Sequence, residues 1–349
     1  MKLKDLQQLD SSLDICFVEK ASLEIESIEV FSISHAYEPS DNSFIFIKNK
    51  KFLNEIGRLS KQDKYLNAGI VFEKSFFTNT DEDLGELKKK FSWFATVDNV
   101  NSAMCSFSKP FYDEKYGSLN YFVDGRQMGT AEVDPTAQIA QNVFIGENCK
   151  IGKDVKIYPG TVILPNVEIG EGSILFPNIT IYPFVKIGTN CRIHASASIG
   201  TDGFGYNFIG GEHVKIWHLA GVEISNNVEI GASSKIDGGA FMPTRIGKGT
   251  KIDNLVQISH NVQVGDHNIF AGKSGVAGSV ETEEYCIFAA SAGSAPGARL
   301  GKGTQVAALG IVSENAIIAP GSVLSGHPAR PLKEWLKSQA KLRQLIKKK

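Results

Sequence analysis

An aliphatic residue occupies every sixth position between residues 139 and 199. The series is Ile139, Ile145, Ile151, Ile157, Ile163, Ile169, Leu175, Ile181, Ile187, Ile193 and Ile199. A period of six matches neither the turn of an α-helix nor the alternation of a half-buried strand. It is typical of a parallel β-helix built from hexapeptides, in which six residues form one short face and one corner. Three faces close a coil of about 18 residues, and the coils stack at the spacing of neighbouring strands. The predicted fold class is therefore mainly β.

The repeat also predicts where side chains point and where the coil is interrupted. In each hexapeptide we expect the aliphatic side chain to face inward and the glycine that often follows it, as in Ile145-Gly146, to serve the corner. The period breaks after Ile199 and resumes at Ile224. Insertions in a repeat protein become loops on one face, often the face that binds ligands. Residues 201–221 are therefore predicted to project as such a loop.

Both ends of the repeat array carry segments without the six-residue period. Apolar runs at 43–47, 68–72 and 93–97 predict strands, and residues 83–90 predict a helix. Residues 1–125 are therefore interpreted as a small α/β domain and residues 130–325 as the β-helix. Residues 328–349 are predicted to form a basic carboxyl-terminal α-helix.

Composition narrows the classes of function. The chain has 349 residues and a formal net charge of -1, which argues against a nucleic-acid-binding protein because such proteins carry a basic face. Its five cysteines are far apart and include no CxxC pair, so neither disulfides nor a zinc site is expected. The first residues lack the apolar core of a signal peptide, and no long apolar run is present. We expect a cytoplasmic protein with no metal and no other bound cofactor.

The most informative residue for chemistry is His260, in the segment QISHNV at 257–262. A neutral imidazole is a natural group to take a proton from an attacking amine or hydroxyl. Gly278 follows one coil later, so its backbone N–H is expected beside that imidazole. There it would bind the oxyanion of an acyl-transfer intermediate. The alternative interpretation is that His260 only makes a structural hydrogen bond at a corner of the coil.

Four segments together resemble a known family. They are DGFGY at 202–206, VEIGA at 228–232, KIDN at 251–254 and QISHNV at 257–262. They are similar to motifs of the UDP-3-O-(3-hydroxyacyl)glucosamine N-acyltransferases of bacterial lipid A biosynthesis, and the resemblance extends over essentially the whole chain. It implies a left-handed β-helix and a homotrimer with active sites between subunits. It also implies transfer of a 3-hydroxyacyl chain from acyl carrier protein to the 2-amino group of a UDP-3-O-(3-hydroxyacyl)glucosamine.

The resemblance assigns roles to individual residues of the β-helix. His260 matches the family's general base, Gly278 its oxyanion glycine, and Asp253 an acidic position near the base. Asp253 lies seven residues before the histidine and is expected on another face, turned towards a neighbouring subunit.

The amino-terminal domain of the family holds the uridine with two aromatic residues and an asparagine at intervals of three. The matching residues are Phe46, Asn49 and Phe52. An aromatic ring stacks on uracil and an amide pairs with its edge. Phe46 also fits a second interpretation, as ordinary strand core.

This chain departs from the family's pattern in three places. It reads Asp237-Gly238-Gly239 where the family has Asp-Arg-Gly, and Trp217-His218 where the family often has Pro-Gln. A second histidine about two coils above the first is common in the family, whereas this chain reads PGAR at 296–299. His218 is one candidate to compensate for that loss.

The carboxyl-terminal segment is strongly basic. Residues 329–349 contain eight Lys or Arg residues and one Glu. A cationic helix would steer an acidic acyl carrier protein, with Lys333 and Lys337 as candidate contacts. Leu309 and Ile311 are candidates to line the groove for the acyl chain. Two alternatives for the basic segment are peripheral attachment to the anionic inner membrane and an ordinary solvated tail.

Two other functions remain open at this point. One is an acetyl-CoA-dependent N-acetyltransferase that acts on a nucleotide-linked amino sugar. The other is a degenerate, non-catalytic paralogue, which the three departures from the family pattern would explain.

Overall fold

The computed structural model describes residues 1–18, 28–60, 62–77, 84–325 and 332–346. An α/β domain comes first, a long parallel β-helix follows, and an α-helix comes last. The mainly β fold class expected from the six-residue period is confirmed. The left hand of the coil stays a prediction.

The amino-terminal domain is a five-stranded sheet covered by short helices and one long helix. Its elements are a 3-10 turn (Leu3–Asp5), α1 (Leu6–Leu9), β1 (Asp14–Val18), β2 (Ser32–Ile33), β3 (Ser43–Ile47), α2 (Lys50–Leu53), β4 (Gly69–Glu73), α3 (Lys74–Phe77), α4 (Leu84–Lys90), β5 (Trp93–Val97), α5 (Val100–Gly117) and α6 (Gly125–Met128). The strand order is β1-β5-β4-β3-β2, and only β1 runs antiparallel to its neighbour. β3, β4 and β5 are the three apolar runs that predicted strands, and they lie at the centre of the sheet. Strands there are continuously apolar because both faces of the sheet are covered.

The β-helix has three faces, each a parallel sheet of very short strands. The first face contains β6 (Glu132–Val133), β9 (Lys150–Ile151), β12 (Glu168–Ile169), β15 (Lys186–Ile187), β20 (Val222–Ile224), β23 (Thr244–Ile246), β26 (Gln263–Val264), β29 (Glu281–Thr282), β32 (Arg299–Leu300) and β35 (Ile317–Ile318). The second contains β7 (Gln138–Ile139), β10 (Lys156–Ile157), β13 (Ile174–Leu175), β16 (Arg192–Ile193), β21 (Glu229–Ile230), β24 (Lys251–Ile252), β27 (Ile269–Phe270), β30 (Ile287–Phe288), β33 (Gln305–Val306) and β36 (Val323–Leu324). The third contains β8 (Phe144–Ile145), β11 (Val162–Ile163), β14 (Thr180–Ile181), β17 (Ser198–Asp202), β22 (Lys235–Gly238), β25 (Gln257–Ile258), β28 (Gly275–Val276), β31 (Gly293–Ser294) and β34 (Ile311–Val312).

Each two-residue strand points one side chain outward and the next inward. In β10, Lys156 is exposed whereas Ile157 is 1% exposed, as strand alternation requires. Ile157 pairs with Leu175 of the following coil and Ile139 of the preceding one, each 18 residues away. The inward aliphatic position predicted by the period is therefore confirmed, and its side chains form one continuous core.

The reason for glycine after the aliphatic residue differs from the one expected. The corners with positive φ are occupied mostly by other residues, such as Asn142, Asn166 and Asn178 with φ between 58° and 60°. Asparagine tolerates this left-handed conformation better than most residues. Gly170 instead lies where coils touch: a Cβ there would be 2.7 Å from the carbonyl carbon of Gly188 in the next coil. These glycines stand at the corners as expected, and close coil stacking rather than a positive φ is what requires them there.

Two insertions interrupt the stack near its middle. Between β17 and β20 the chain forms the antiparallel hairpin of β18 (Tyr206–Ile209) and β19 (Glu212–Lys215), within the loop predicted at 201–221. A second, shorter insertion at 239–243 separates β22 from β23. Leu219 and Phe241, one from each insertion, pack into the core of the amino-terminal domain.

Ion pairs join the amino-terminal domain to the outer surface of the first face. Arg245 binds Glu38 (2.8 Å), Arg299 binds Glu55 (2.8 Å), and Glu281 accepts from Arg58 (2.5 Å). Arg245, Glu281 and Arg299 belong to one vertical column, because their strands stack in register. Because the partners on the β-helix form one column, these ion pairs fix the position of the amino-terminal domain along the axis of the β-helix.

The last element is α7 (Leu332–Ile346), within the segment predicted to be helical. Its apolar residues Leu336, Leu342, Leu345 and Ile346 are 51–73% exposed. Arg330 and the final three lysines lie outside the described residues. The domain limits 1–125, 130–325 and 328–349 stay predictions.

The stacking model predicts different costs for the two residues of β10. Ile157→Ala removes a buried side chain from a close-packed column and should lower the free energy of unfolding by about 2–5 kcal/mol. Lys156→Ala, on the outer side of the same strand, should change it by less than about 0.5 kcal/mol. Urea denaturation followed by circular dichroism measures both. Equal effects of the two substitutions would contradict the assignment of inward and outward positions.

Candidate active site

Two cavities meet where the amino-terminal domain rests on the β-helix. The first has a volume of about 280 Å³ and the second about 430 Å³. Four residues line both cavities: His35, Phe52, His260 and Ser279. His260 follows β25, at a corner of the coil, and therefore faces both spaces.

Asn261 determines which nitrogen of the His260 ring carries the proton. The Asn261 side-chain NH2 donates to the carbonyl of Met242 (2.9 Å), and its Oδ1 accepts from the N–H of Ala240 (3.1 Å). The same Oδ1 lies 2.9 Å from Nδ1 of His260, so that nitrogen must be the donor. In the neutral ring Nε2 is then the free acceptor. Asn261 lies within the QISHNV motif, but its orienting role was missed by the sequence analysis.

Two glycines enclose the His260 ring. A Cβ on Gly278 would lie 2.7 Å from both Cε1 and Nε2, and a Cβ on Gly203 would lie 2.5 Å from Cβ of the histidine. Gly278 is one coil above His260, as the 18-residue spacing predicted, and it borders the Nε2 side of the ring. Its backbone N–H has no hydrogen-bond acceptor among the described residues, whereas the N–H of Ala277 donates to Ser294 in the next coil and that of Ser279 to His260 in the preceding one.

A second imidazole, that of His218, lies against the first. The ring centroids of His218 and His260 are 5.3 Å apart and the rings are nearly perpendicular. His218 is 2% exposed and lines the 280 Å³ cavity. Burial, assisted by repulsion from His260, lowers the pKa of His218 to about 4. His218 is therefore neutral near pH 7.

His35 supplies a third imidazole from the amino-terminal domain. Its Nδ1 accepts a hydrogen bond from the backbone N–H of Tyr37 (3.2 Å), so Nε2 carries the proton of the neutral ring. Burial, together with the nearby Arg58 cation, lowers the pKa of His35 to about 4. No sequence signal indicates His35, because it lies outside the repeat and only the docking of the two domains brings it near His260.

The carboxylates near the two β-helix histidines are Asp202 and Asp237 rather than Asp253. Burial raises the pKa of Asp237, while hydrogen bonds from Gln257 and Thr201 and the attraction of His260 oppose that rise. Asp202 is paired with Lys215. Asp253 follows β24 on the second face and lines a separate cavity with His194 and Lys251. Within one chain Asp253 and His260 are not brought together, and the role of Asp253 stays a prediction.

The three residues predicted to bind uridine lie close together but differ in exposure. Phe46 is 8% exposed, packs against Phe107 and Phe241, and lines the 280 Å³ cavity at its edge. Phe52 lines both cavities. Asn49 is exposed, and its Oδ1 accepts from the N–H groups of Lys51 and Phe52 at the start of α2. Phe46 thus belongs to the domain core and to the cavity wall at once.

The residues predicted to contact the acyl chain and its carrier are on the surface. Leu309 is 48% exposed and Ile311 is 75% exposed. On the third face Ile311 lies directly above Gly293, which in turn lies above Gly275. Lys337 is exposed on α7, whereas the side chain of Lys333 lies outside the described residues.

Comparisons with known proteins agree with the repeat and with the motifs. Residues 243–278 match the family model described as bacterial transferase hexapeptide (six repeats). The chain therefore contains hexapeptide repeats. Residues 127–216 also match the model of the GMPPB C-terminal domain, within the same β-helix.

Curated relatives of this hexapeptide-repeat protein carry the name that the motifs suggested. A UDP-3-O-acylglucosamine N-acyltransferase from Helicobacter hepaticus is 44% identical over 212 residues, which cover 60% of this chain and 64% of the relative. One from Wolinella succinogenes is 43% identical over 164 residues, covering 47% and 51%. The resemblance is therefore confirmed, and the matched region spans less than two-thirds of each relative.

Solved structures of similar proteins are more distant. A UDP-N-acetylglucosamine acyltransferase from Campylobacter jejuni is 22% identical, with a TM-score of 0.42, and the match covers 53% of this chain and 68% of that one. In this hexapeptide-repeat protein, none of the helices among the described residues is long and apolar enough to cross a membrane.

The lowered pKa of the half-buried His35 predicts a pH dependence of stability. The unfolded chain binds a proton at the ordinary histidine pKa of 6.5, whereas the folded protein does so only near pH 4. Between these values the unfolded state binds more protons, so stability decreases as the pH falls from 6.5 to 4. His35→Asn keeps an acceptor for the Tyr37 N–H and removes this titration.

The stability lost between pH 7 and pH 4 should therefore be smaller in His35→Asn by about 3 kcal/mol. Urea unfolding at a series of pH values measures the difference. The assignment fails if variant and wild type lose the same stability over that range.

Proposed function

We propose that this hexapeptide-repeat protein is an N-acyltransferase of lipid A biosynthesis. It transfers a 3-hydroxyacyl chain from acyl carrier protein to the 2-amino group of a UDP-3-O-(3-hydroxyacyl)glucosamine in the cytoplasm. The observation that carries the proposal is the position of His260 Nε2, a hydrogen-bond acceptor, beside the Gly278 N–H, which has no acceptor among the described residues, at the junction of two cavities. The similarity to curated N-acyltransferases supports the class of reaction.

The reaction requires one base and one oxyanion donor. The acceptor amine attacks the thioester carbonyl carbon, a C–N bond forms, and the carbonyl electron pair moves to oxygen. The Gly278 N–H binds that oxyanion while His260 Nε2 takes a proton from the attacking nitrogen. When the oxyanion collapses, the C–S bond breaks and the thiolate of the carrier leaves with the proton from His260.

The UDP-sugar is assigned to the 280 Å³ cavity and the surface beside it. Phe46 and Phe52 line this cavity with aromatic rings suited to the uracil, and the Asn49 amide retains its NH2 group because only its oxygen caps α2. Lys48 lines the same cavity and is suited to the diphosphate. The sugar is then assigned to the space between the proposed uridine site and His260.

The acyl chain is assigned to the third face of the β-helix. Gly275 and Gly293 leave that face without side chains beside the His260 coil, and Ile311 closes the strip one coil further. The basic helix α7 is assigned to acyl carrier protein, whose acidic surface fits Lys337 and the other cations of this segment. Peripheral contact with the anionic inner membrane is the alternative for α7.

A homotrimer with sites shared between subunits belongs to the same proposal. The outer faces of the last coils carry apolar side chains such as Ile311, Ile317 and Val323, which are 72–81% exposed. Burial of such side chains against another copy is the usual reason for their exposure in one chain. Asp253, which lies away from His260 in its own chain, would then act near the histidine of a neighbour.

The site geometry favours catalysis over a non-catalytic scaffold. A scaffold needs neither an asparagine that orients one histidine tautomer nor two glycines that leave room for the ring.

His260→Ala tests the assignment of the base. Turnover should fall by about 10²–10⁴-fold, the usual contribution of a positioned general base. Binding of UDP-3-O-acylglucosamine should persist, because the uridine contacts lie in the amino-terminal domain. The assay combines purified protein, 3-hydroxyacyl carrier proteins of several lengths and the UDP-sugar, with products identified by mass.

His267→Ala is the matched control, since that ring stacks on Tyr285 and lines neither cavity. A folded His260→Ala protein with near wild-type transfer would show that His260 is only a corner residue. Absence of any transfer by wild type would refute the proposed function itself.

Gly278→Ala tests the glycine independently of the histidine. Its new methyl group would meet the imidazole 2.7 Å from Nε2, so the ring must move away from the oxyanion position. Turnover should fall by about 10²-fold or more, with the thermal midpoint little changed. Gly85→Ala, in α4 with open space around it, should retain full activity. Full activity of Gly278→Ala would contradict the assigned geometry.

A further inference from the structure

His218 carries a buried nitrogen that the mechanism above does not use. The residue lies at the end of the inserted loop, where the family often has glutamine, and it lines the 280 Å³ cavity. Nδ1 lies 3.1 Å from the carbonyl oxygen of Ile216, so Nδ1 donates and carries the ring proton. Nε2 then holds a lone pair, and among the described residues it has no hydrogen-bond partner.

An unpaired acceptor in a buried position costs free energy unless a ligand supplies the donor. The His218 ring is 2% exposed and neutral, so it does not present a positive charge to a ligand. It offers one acceptor, next to a cavity that already contains the Nε2 acceptor of His260. The two rings are 5.3 Å apart between centroids. Two acceptors that share one tetrahedral nitrogen at normal hydrogen-bond length are separated by about 5 Å, and two imidazole rings whose centroids are 5.3 Å apart can place their Nε2 atoms at that separation.

We propose that His218 is a specificity-determining residue that selects an amine over a hydroxyl as the acyl acceptor. This inference rests on the proposed function, because it concerns the nucleophile in that site. A neutral amine has two N–H groups, one for His260 Nε2 and one for His218 Nε2. A hydroxyl has one O–H, so it satisfies one imidazole and leaves the other unpaired.

The acceptor nitrogen keeps one hydrogen for His218 throughout the reaction. After attack, the nitrogen carries two hydrogens, one of which passes to His260 and from there to the leaving thiolate. The other stays on nitrogen as the N–H of the product amide and continues to donate to His218. An oxygen nucleophile gives its single proton to His260 and makes an ester with no donor for His218. The second imidazole therefore favours the amine in both the intermediate and the product.

The experiment compares two acceptors that differ at the reacting atom only. These are UDP-3-O-acylglucosamine and its analogue with a hydroxyl in place of the 2-amino group, each assayed with the same 3-hydroxyacyl carrier protein. His218→Leu removes the acceptor with similar volume, and His218→Gln replaces it by a carboxamide oxygen. The ratio of kcat/KM for amine to hydroxyl should fall about tenfold in His218→Leu and return largely to the wild-type value in His218→Gln.

A structural role alone would lower both rates together and leave the ratio unchanged, and that result would overturn the inference while the proposed function stands. Equilibrium binding of the two acceptors to wild type gives a second readout that needs no variant. Wild type should bind the amine more tightly, and equal affinities would also overturn the inference. If wild type acylates and binds neither acceptor, the proposed function fails and the inference fails with it.

Discussion

Hydrogen bonding between successive coils is the constraint on which the rest of this structure depends. Because each two-residue strand pairs with strands one coil below and one above, residues about 18 positions apart lie directly over one another. This spacing places the Gly278 backbone against the His260 ring and requires glycine where coils touch. A stack of this kind has little freedom to shift, since a change in register would turn the inward aliphatic side chains to solvent. The relative position of His260 and Gly278 is therefore held by the backbone of the coils.

The site combines polar groups and burial in a way that an ordinary core avoids. His35 and His218 are both kept neutral by their surroundings, and in each ring the hydrogen bond at Nδ1 defines the hydrogen-bonding character of Nε2. The Asn261 side chain makes three hydrogen bonds, and these set the orientation and tautomer of the His260 ring. The two rings of the β-helix thus offer acceptors, whereas His35 offers a donor. Such a set distinguishes ligands by the number and direction of their protons, which charge alone does not do.

One departure from the family pattern has a structural use in this chain. The PGAR segment lacks the second histidine, but its Arg299 pairs with Glu55 of the amino-terminal domain and lies beside Glu281. Pairs of this kind, partly shielded from water, contribute more to a defined docking geometry than to net stability. The same docking closes the cavities over His260 and brings His35 to their shared wall.

The sequence by itself determined the β-helix, the inward aliphatic column and the contact between His260 and Gly278. These depend on a strict period, so a separation along the chain converts directly into a separation in space. The amino-terminal strands were equally visible, because β3, β4 and β5 are continuous apolar runs covered on both faces. Three features do not follow from the six-residue period, and only the tertiary structure decided them. They are the approach of His35 to the cavities, the position of Asp237 rather than Asp253 near His260, and the perpendicular contact between the rings of His218 and His260. An inserted loop and a docked domain are positioned by side-chain packing and ion pairs between segments far apart in the chain, and no local pattern encodes those distances.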